Sequence, residues 1–434
     1  MMRDSPRTDP DDGVAGPAGA EAARARAEIA ARRSYGRLLA IIAAPGGDIE
    51  LAEDCLADAF ERALALWPDS GVPANPEGWL VAVARNRKRD AFRSAPNRSS
   101  VPLNRARGHA IAPLDELDPD AIPDKRLALL FACGHPAIDA SVRTPLMLQT
   151  VLGLDAKHIA RAYAVAPSAM AQRLVRAKRR VRNARIPFVV PGRDRMAERL
   201  PPVLEAIYGA YALDWQLVSE ATVRESLAAE AHYLAVTLAD LLGDEPEAHG
   251  LAALISLSLS RLPARGGANE FVPLEEQDAT RWDRQLIELG ERHLRRAFAL
   301  GRIGRFQLEA AIHSVHCERA RTGSTDWAAL RKLYDALVSL APTLGALVAR
   351  AATIGRIDGP LAGMAALDAI SDPALERFQP AWAARAHLLA EFGLDDQAAA
   401  AFDRAASLAT EATVRTYLER RAADIRAGES SRRS

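Results

Sequence analysis

The chain is poor in cysteine, in aromatic residues and in long apolar runs, and each shortage excludes something. Cys55, Cys133 and Cys317 are odd in number and far apart, so they provide no disulfide framework. A reducing compartment, the cytoplasm, is the expected location. No stretch approaches the roughly 20 apolar residues that span a bilayer. The longest candidate, Leu251–Ser260, is half that length and interrupted by serine, so no membrane contact is expected. The opening Met1-Met-Arg-Asp-Ser-Pro has no apolar run behind it, which argues against a secretory leader. No glycine-rich phosphate loop or nucleophile motif occurs, so the expected protein is not an enzyme and uses no cofactor. Valine, isoleucine, tyrosine and phenylalanine are sparse while alanine, leucine and arginine dominate. That balance predicts an all-α fold.

What remains is ample for a globular protein. The 434 residues are 49% hydrophobic, enough for two or three domains with cores of their own. Lys plus Arg and Asp plus Glu both number 56, so the formal charge is zero, but the charges are segregated. Ala156 to Arg193 holds ten Lys/Arg and no acid, whereas Pro113 to Asp124 holds five acids and no base. Blocks of one sign point to a nucleic-acid partner more directly than the total does.

The division along the chain follows composition. Residues 1–18, rich in Pro, Gly and Asp, are expected to be a disordered tail. Residues 20–93 read as a helical bundle. In it Asp48 caps a helix ending near Leu66 at Trp67-Pro68, residues 69–76 form a loop, and a second helix runs from Pro76 to about Arg93. That second helix is expected to bury Trp79, Leu80, Val83 and Phe92. Residues 94–123 contain five prolines and no periodicity, a linker. Helices resume over 124–187, including one at Pro123–Cys133 and one with Thr144 as N-cap, Pro145 at N1 and Gly153 at the end. Residues 195–426 read as a long helical array. There Ala351, Gly363, Leu367 and Ile370 recur thirty-five residues later as Ala386, Ala398, Phe402 and Ala405, and Leu330, Tyr334 and Leu337 suggest an earlier copy. Small residues at helix crossings with bulky ones between resemble a tetratricopeptide pattern.

The most informative segment is 154–185. Asp155 can cap a short helix with Ile159, Ala160 and Tyr163, and Ala164-Val-Ala-Pro167 forms a turn. The second helix carries Met170, Leu174, Ala177 and Val181 on one stripe and a basic face opposite. This is the pattern of a DNA-binding helix-turn-helix, whose second helix enters the major groove by its N-terminal residues. Ser168, Ala169, Gln172, Arg173 and Arg176 are then near the bases, since arginine pairs with guanine and glutamine with adenine. Lys178, Arg179, Arg182 and Arg185 fall where phosphate contacts are expected. A second basic run, with Arg85, Lys88, Arg89 and Arg93 on the helix after Pro76, is suited to the DNA backbone. His313, His316 and Cys317 share a helix face at a spacing that can ligate zinc, but without a further ligand cluster the expected metal content is none.

These two regions resemble sigma factors of the extracytoplasmic-function group. Asp48-Ile-Glu-Leu-Ala-Glu-Asp-Cys-Leu-Ala-Asp-Ala-Phe-Glu-Arg-Ala and Asn75-Pro-Glu-Gly-Trp-Leu-Val-Ala-Val-Ala-Arg-Asn-Arg resemble sigma region 2. Ala171-Gln-Arg-Leu-Val-Arg-Ala-Lys-Arg resembles region 4. Phe131-Ala-Cys-Gly-His-Pro, Arg185-Ile-Pro, Glu276-Gln-Asp, Arg281-Trp-Asp, Asp326-Trp-Ala and Tyr334-Asp resemble the subgroup with a tetratricopeptide-like C-terminal extension. The resemblance covers roughly residues 30–425. It implies a non-catalytic subunit that binds core RNA polymerase and promoter DNA, with Glu53, Asp54, Asp58 and Glu61 facing the polymerase. Loop 68–76 and the Arg85–Arg93 helix would open the −10 element, the helix-turn-helix would bind the −35 element, and the acidic linker would thread polymerase channels. The extension would meet a regulatory protein or fold back on the chain.

The sequence departs from the subgroup at His158, where an acid is usual, at Tyr208–Trp215, and at Cys133-Gly134 in place of paired cysteines. The competing expectation is a helix-turn-helix regulator with a sensing domain and no polymerase contact, for which the Asp48–Arg93 module would have no use.

Overall fold

The computed structural model describes residues 34–94, 123–217, 221–266 and 270–433, with positions 21 and 25. The expected tail 1–18 and the linker over 95–122, including Asp115–Asp120, lie outside the described residues. Every described regular element is a helix. The chain divides into two compact units, Met1–Gly209 and Ala210–Ser434. Among the described residues no helix is long and apolar enough to cross a membrane.

In the first unit, α1 (residues 34–43) contributes Leu38, Leu39 and Ile42 to the core. Helix α2 (Ile49–Ser70) begins at Asp48, whose carboxylate accepts from Leu51 N at 3.1 Å. It buries Ile49, Ala52, Cys55, Leu56, Ala59, Ala63 and Trp67 on one stripe. The helix runs through Pro68, past the end expected at Trp67-Pro68. A proline in the last turn removes a single bond, while Trp67, 2% exposed and edge-on to Trp79 at 5.5 Å, anchors that turn. Gly71, at φ 81°, then ends it with its N–H on Trp67 O. Helix α3 (Pro76–Ser94) buries Leu80, Val81 and Ala84, with Trp79 and the expected Val83 only half-buried. The side chain of Phe92 lies outside the described residues.

Helix α4 (Pro123–Cys133) forms where expected. Helix α5 (Ala140–Thr150) starts one turn earlier than Thr144. Asp139 takes the N-cap, accepting from Ser141 N at 2.8 Å, and Pro145 is a buried residue inside the helix. A carboxylate cap upstream is the stronger nucleus because it satisfies an orphan N–H that Thr144 would leave inside the turn. Helices α6 (Ala156–Ala162) and α7 (Pro167–Asn183) follow. Helix α8 (Arg193–Leu217) crosses the boundary between units after Gly209. Its Met196, Leu200, Val203, Leu204, Ala206 and Ile207 are buried.

The second unit continues with α9 (Ala221–Leu241) and α10 (Pro246–Leu259). All but one residue of α10 is buried, since it packs against α9, α11 (Arg284–Ala299) and α12 (Arg305–Cys317). Gly250 permits close backbone approach to α12, because a Cβ there would fall 2.7 Å from Gln307 N. Gly304, the N-cap of α12, has no side chain to offer. Glu247 supplies the cap from α10, accepting from Phe306 N at 2.9 Å and Gln307 N at 3.1 Å.

Beyond the short α13 (Arg319–Thr322) come α14 (Trp327–Leu340), α15 (Leu344–Asp358), α16 (Pro360–Asp368), α17 (Gln379–Phe392), α18 (Asp395–Leu408) and α19 (Ala412–Arg433). Consecutive helices pack in sequence. Ala351, Gly363 and Leu367 are buried, as are Ala386, Ala398, Phe402 and Ala405 at thirty-five residues' remove. Gly355 and Gly363 let α15 and α16 touch, a Cβ on Gly363 lying 2.8 Å from Gly355 Cα.

Candidate nucleic-acid interface

Helices α6 and α7 are joined by the short turn the sequence indicates. Asp155 caps α6 by accepting from Lys157 N at 2.7 Å. Ile159 and Ala160 are buried, whereas Tyr163 closes the helix and is 41% exposed. Ala164 adopts φ 51° at the turn, and Val165 N bonds back to Ala160 O. Helix α7 seats Met170, Leu174, Ala177 and Val181 in the core, none more than 4% exposed. The apolar stripe thereby fixes which face of α7 reaches solvent.

That solvent face has two halves. Ser168, Gln172, Arg173 and Arg176 are exposed and Ala169 half-buried. No ion pair engages Arg173 or Arg176 among the described residues. The C-terminal half is occupied. Lys178 is only 7% exposed and its ammonium lies 2.6 and 2.8 Å from the two carboxylate oxygens of Glu53 on α2. Arg179 meets Glu50 at 3.4 Å, and Arg182 meets Glu50 at 3.4 Å and Asp48 at 3.6 Å. Arg180 donates to Ala137 O at 3.1 Å. Burial raises the Glu53 carboxyl above the usual carboxylate range, with Lys178 pulling the other way.

On α3, Lys88 is buried rather than displayed. Its ammonium donates to Ile42 O at 2.6 Å and Pro45 O at 2.9 Å, satisfying carbonyls at the end of α1. This corrects the expectation that Lys88 faces the DNA backbone: the carbonyls left over at a helix end compete for it. Arg85 is half-buried, while Arg89, beside Asn86, and Arg93 are exposed. Of the acids expected to face polymerase, Asp54 and Glu61 are exposed, Asp58 pairs with Arg87 at 2.5 Å, and Glu53 pairs with Lys178. Glu50 and Asp48 complete the contact with α7 and escaped the sequence reading. Pairing over such separations leaves no local signal.

The metal alternative gains no geometry. His313 Nδ1 accepts from Arg261 at 2.6 Å, His316 stands edge-on to Trp327, and Cys317 Sγ meets Leu257 O at 3.7 Å. Among the described residues no group of three or more His, Cys, Asp or Glu converges on a metal-sized point. Cys133 Sγ lies beside Thr150 Oγ1, and burial pushes its thiol up to about 12, so it carries no thiolate near neutral pH.

A helical unit with a basic helix packed on an acidic one does not by itself define a class of protein. Comparison with known proteins supplies one. Residues 31–97 match the sigma-70 region 2 family, and residues 199–298 match a family of unknown function, DUF6596. The chain is 35% identical over 377 residues to the protein R00370 of Rhizobium meliloti, covering 86% of this chain and 89% of that one. It is 30% identical over 159 residues to the probable ECF RNA polymerase sigma factor SigI of Mycobacterium tuberculosis, covering 35% of this chain and 53% of that one. A tetratricopeptide repeat protein of Parabacteroides merdae superposes at TM-score 0.33 and 14% identity, over 68% of this chain and 98% of that one, too weakly to assign a shared fold. The chain belongs to the family of the Rhizobium meliloti protein. It is a sigma-factor-like protein, with a sigma-70 region 2 domain, distant similarity to an extracytoplasmic-function sigma factor, and a DUF6596 helical region.

Proposed function

We propose that this protein is a sigma subunit that binds core RNA polymerase and directs it to promoters. The observation that carries the proposal is the sigma-70 region 2 domain at residues 31–97. A regulator acting without polymerase has no use for such a module. We assign residues 20–93 to region 2, 94–123 to a linker, 124–187 to region 4, and 195–426 to a tetratricopeptide-like extension.

In this reading α6 and α7 are the region 4 helix-turn-helix. Gln172, Arg173 and Arg176, with Ser168 and Ala169 at the helix start, read the −35 element in duplex form. Their exposure supports this, and bidentate Arg–guanine and Gln–adenine pairing gives the chemistry. Arg85, Arg89 and Arg93 on α3 hold the strand freed at the −10 element. Extracting a base costs a few kcal/mol, and a basic helix beside Trp67 and Trp79 suits the opened strand. Asp54, Asp58 and Glu61 on α2 face the polymerase, together with Glu53.

Both surfaces are partly in use inside the free chain, where Lys178, Arg179 and Arg182 are paired with Glu53, Glu50 and Asp48. Engagement of promoter and polymerase therefore exchanges carboxylate partners for phosphate ones. The test is runoff transcription with sigma-free core polymerase. The expected result is initiation from the protein's own promoters. Promoter binding by the protein alone, with no initiation in the presence of core, would show a plain regulator instead.

A further inference from the structure

Between α10 and α11 the chain runs through the segment Glu270 to Asp278, whose one regular element is a single 3-10 turn at Leu274–Glu276. The segment lies against helices far downstream, with hydrogen bonds that span 42 to 141 residues of sequence. Arg319 on α13 donates to Leu274 O at 2.8 Å, Gln277 O at 2.9 Å and Glu275 O at 3.2 Å. Arg356 on α15 pairs with Glu275, while its second nitrogen meets Glu391 of α17 at 2.9 Å. On α19 the Tyr417 hydroxyl donates to Glu276 Oε1 at 3.4 Å, and Phe271 stands edge-on to the Tyr417 ring at 5.4 Å. Arg420, 5.7 Å from the same ring, adds a further cation.

These contacts have the form of peptide recognition by a folded surface. Main-chain hydrogen bonds give affinity whatever the side chains, and a few shaped or charged positions give specificity. Arg319 reads three carbonyls, Arg356 answers an acid, and Tyr417 receives an aromatic ring.

The segment is held as a guest and not as part of the core. Helices α17 to α19 pack through residues of their own, among them Ala386, Leu389, Ala398, Phe402, Ala405 and Leu418, and the segment adds Phe271, itself only partly buried, at the edge. Gln277 is the one buried residue between Glu270 and Asp278, and its amide bonds to Val272 O at 3.1 Å within the segment itself. The Arg356 and Glu275 side chains are 40% and 53% exposed, so their pair is weak and screened by salt. Few buried contacts and many exposed ones mark a part of the fold that opens at low cost. Beyond it the chain is fixed, because Trp282 is buried and Asp283 N bonds to Ser260 O at 2.8 Å.

We propose that the face formed by Arg319, Arg356 and Tyr417 is a binding surface for an extended acidic peptide of a partner protein, and that residues 271–277 occupy it in the free chain. The partner segment carries an aromatic residue four positions before a pair of glutamates, as Phe271, Glu275 and Glu276 do. A tethered occupant acts at an effective concentration on the order of millimolar. The chain's own segment therefore blocks weak peptides and yields to a partner that binds tightly.

The experiment measures fluorescence anisotropy of a labelled peptide copying Glu270-Phe-Val-Pro-Leu-Glu-Glu-Gln-Asp, titrated with the full chain. It needs neither polymerase nor DNA, so its outcome is independent of the sigma reading. Phe271→Ala with Glu275→Ala releases the internal occupant and should strengthen peptide binding by at least about tenfold over the wild type. Adding Arg356→Ala should remove that gain, and a scrambled peptide should not bind. Absence of saturable binding to the released variant, equal binding by the wild type, or binding that survives Arg356→Ala overturns the surface. A concentration-dependent dimer that Phe271→Ala dissolves assigns the face to a second copy of the chain and overturns the partner. If circular dichroism shows the double variant unfolded, Glu275→Lys decides instead, because that side chain is exposed. It should strengthen peptide binding by about fivefold, the upper worth of an exposed ion pair, and unchanged affinity overturns the surface equally.

Discussion

Lys178 Nζ lies 2.6 Å from Glu53 Oε1, joining α7 to α2 across 125 residues of sequence. The two side chains are 8% and 23% exposed, so the pair is largely desolvated. Removing one partner leaves the other charge buried, whereas removing both leaves no orphan. Lys178→Met should therefore destabilise the first unit by about 1–3 kcal/mol. Lys178→Met combined with Glu53→Leu should recover most of that loss. Urea unfolding followed by circular dichroism reads both, and additive losses in the double variant would show that the two residues do not interact.

The two halves of the α7 solvent face should behave differently on DNA. Arg173→Ala or Arg176→Ala should cost about 1–3 kcal/mol on the preferred −35 duplex and much less on others, because base contacts carry specificity. Arg179→Ala should weaken all sequences alike and reduce the slope of log affinity against log salt by about 1. Fluorescence anisotropy at several salt concentrations, with core polymerase present, distinguishes the two. A uniform effect of Arg173→Ala across sequences would remove it from the base-reading set.

Truncation should respect the compact units and not the composition. Residues 193–209 of α8 bury Met196, Leu200, Val203, Leu204, Ala206 and Ile207 within the first unit. Deleting 210–434 should leave a folded protein whose transcriptional output changes while its promoter preference persists. Deleting 195–434 should expose that apolar face and give aggregated protein. Size-exclusion chromatography compares the two, and equal transcription by the 210–434 deletion and the full chain would deny the extension a role.

The second unit should weaken in mild acid. His249 Nε2 faces Gly243 O at 3.3 Å, so it holds the proton, and His249 Nδ1 accepts from His293 Nδ1 at 3.0 Å. Burial is the main cause holding both rings below the usual histidine range, with Arg296, Arg292 and His232 adding to it and Asp240 opposing. A group whose pKa is lower folded than unfolded stabilises the fold above its unfolded pKa and loses that contribution as pH falls. Thermal stability should decline from about pH 7 to about pH 5, where histidines gain protons. In His249→Gln the decline should be shallower. A melting temperature that is flat or rises over this interval contradicts the pairing.

Much of the site was legible in the sequence because its signals are local. Asp155 at a helix start, Pro167 in the first turn of the next, and an apolar stripe at Met170, Leu174, Ala177 and Val181 lie within one short segment. Capping and periodicity act over just that range. The all-α composition likewise determined the fold class, and the thirty-five-residue recurrence marked residues that the structure buries, except Ile370, which is half-buried.

Tertiary structure decided what those residues meet. Lys88 and Lys178 belong to basic runs, yet one caps α1 and the other pairs with Glu53, because desolvated ammonium groups take whatever oxygen atoms packing brings near. Pro68 and Pro145 read as helix boundaries and sit inside helices, since an anchored Trp67 and the Asp139 cap outweigh the loss of one bond each. Arg261, in the turn after α10, and His313, on α12, carry no mutual pattern. Sequence alone determined much of the local conformation and the sign of each charge block; only the fold determined which charges were paired, buried or exposed, because those outcomes depend on distance in space and on exclusion of water.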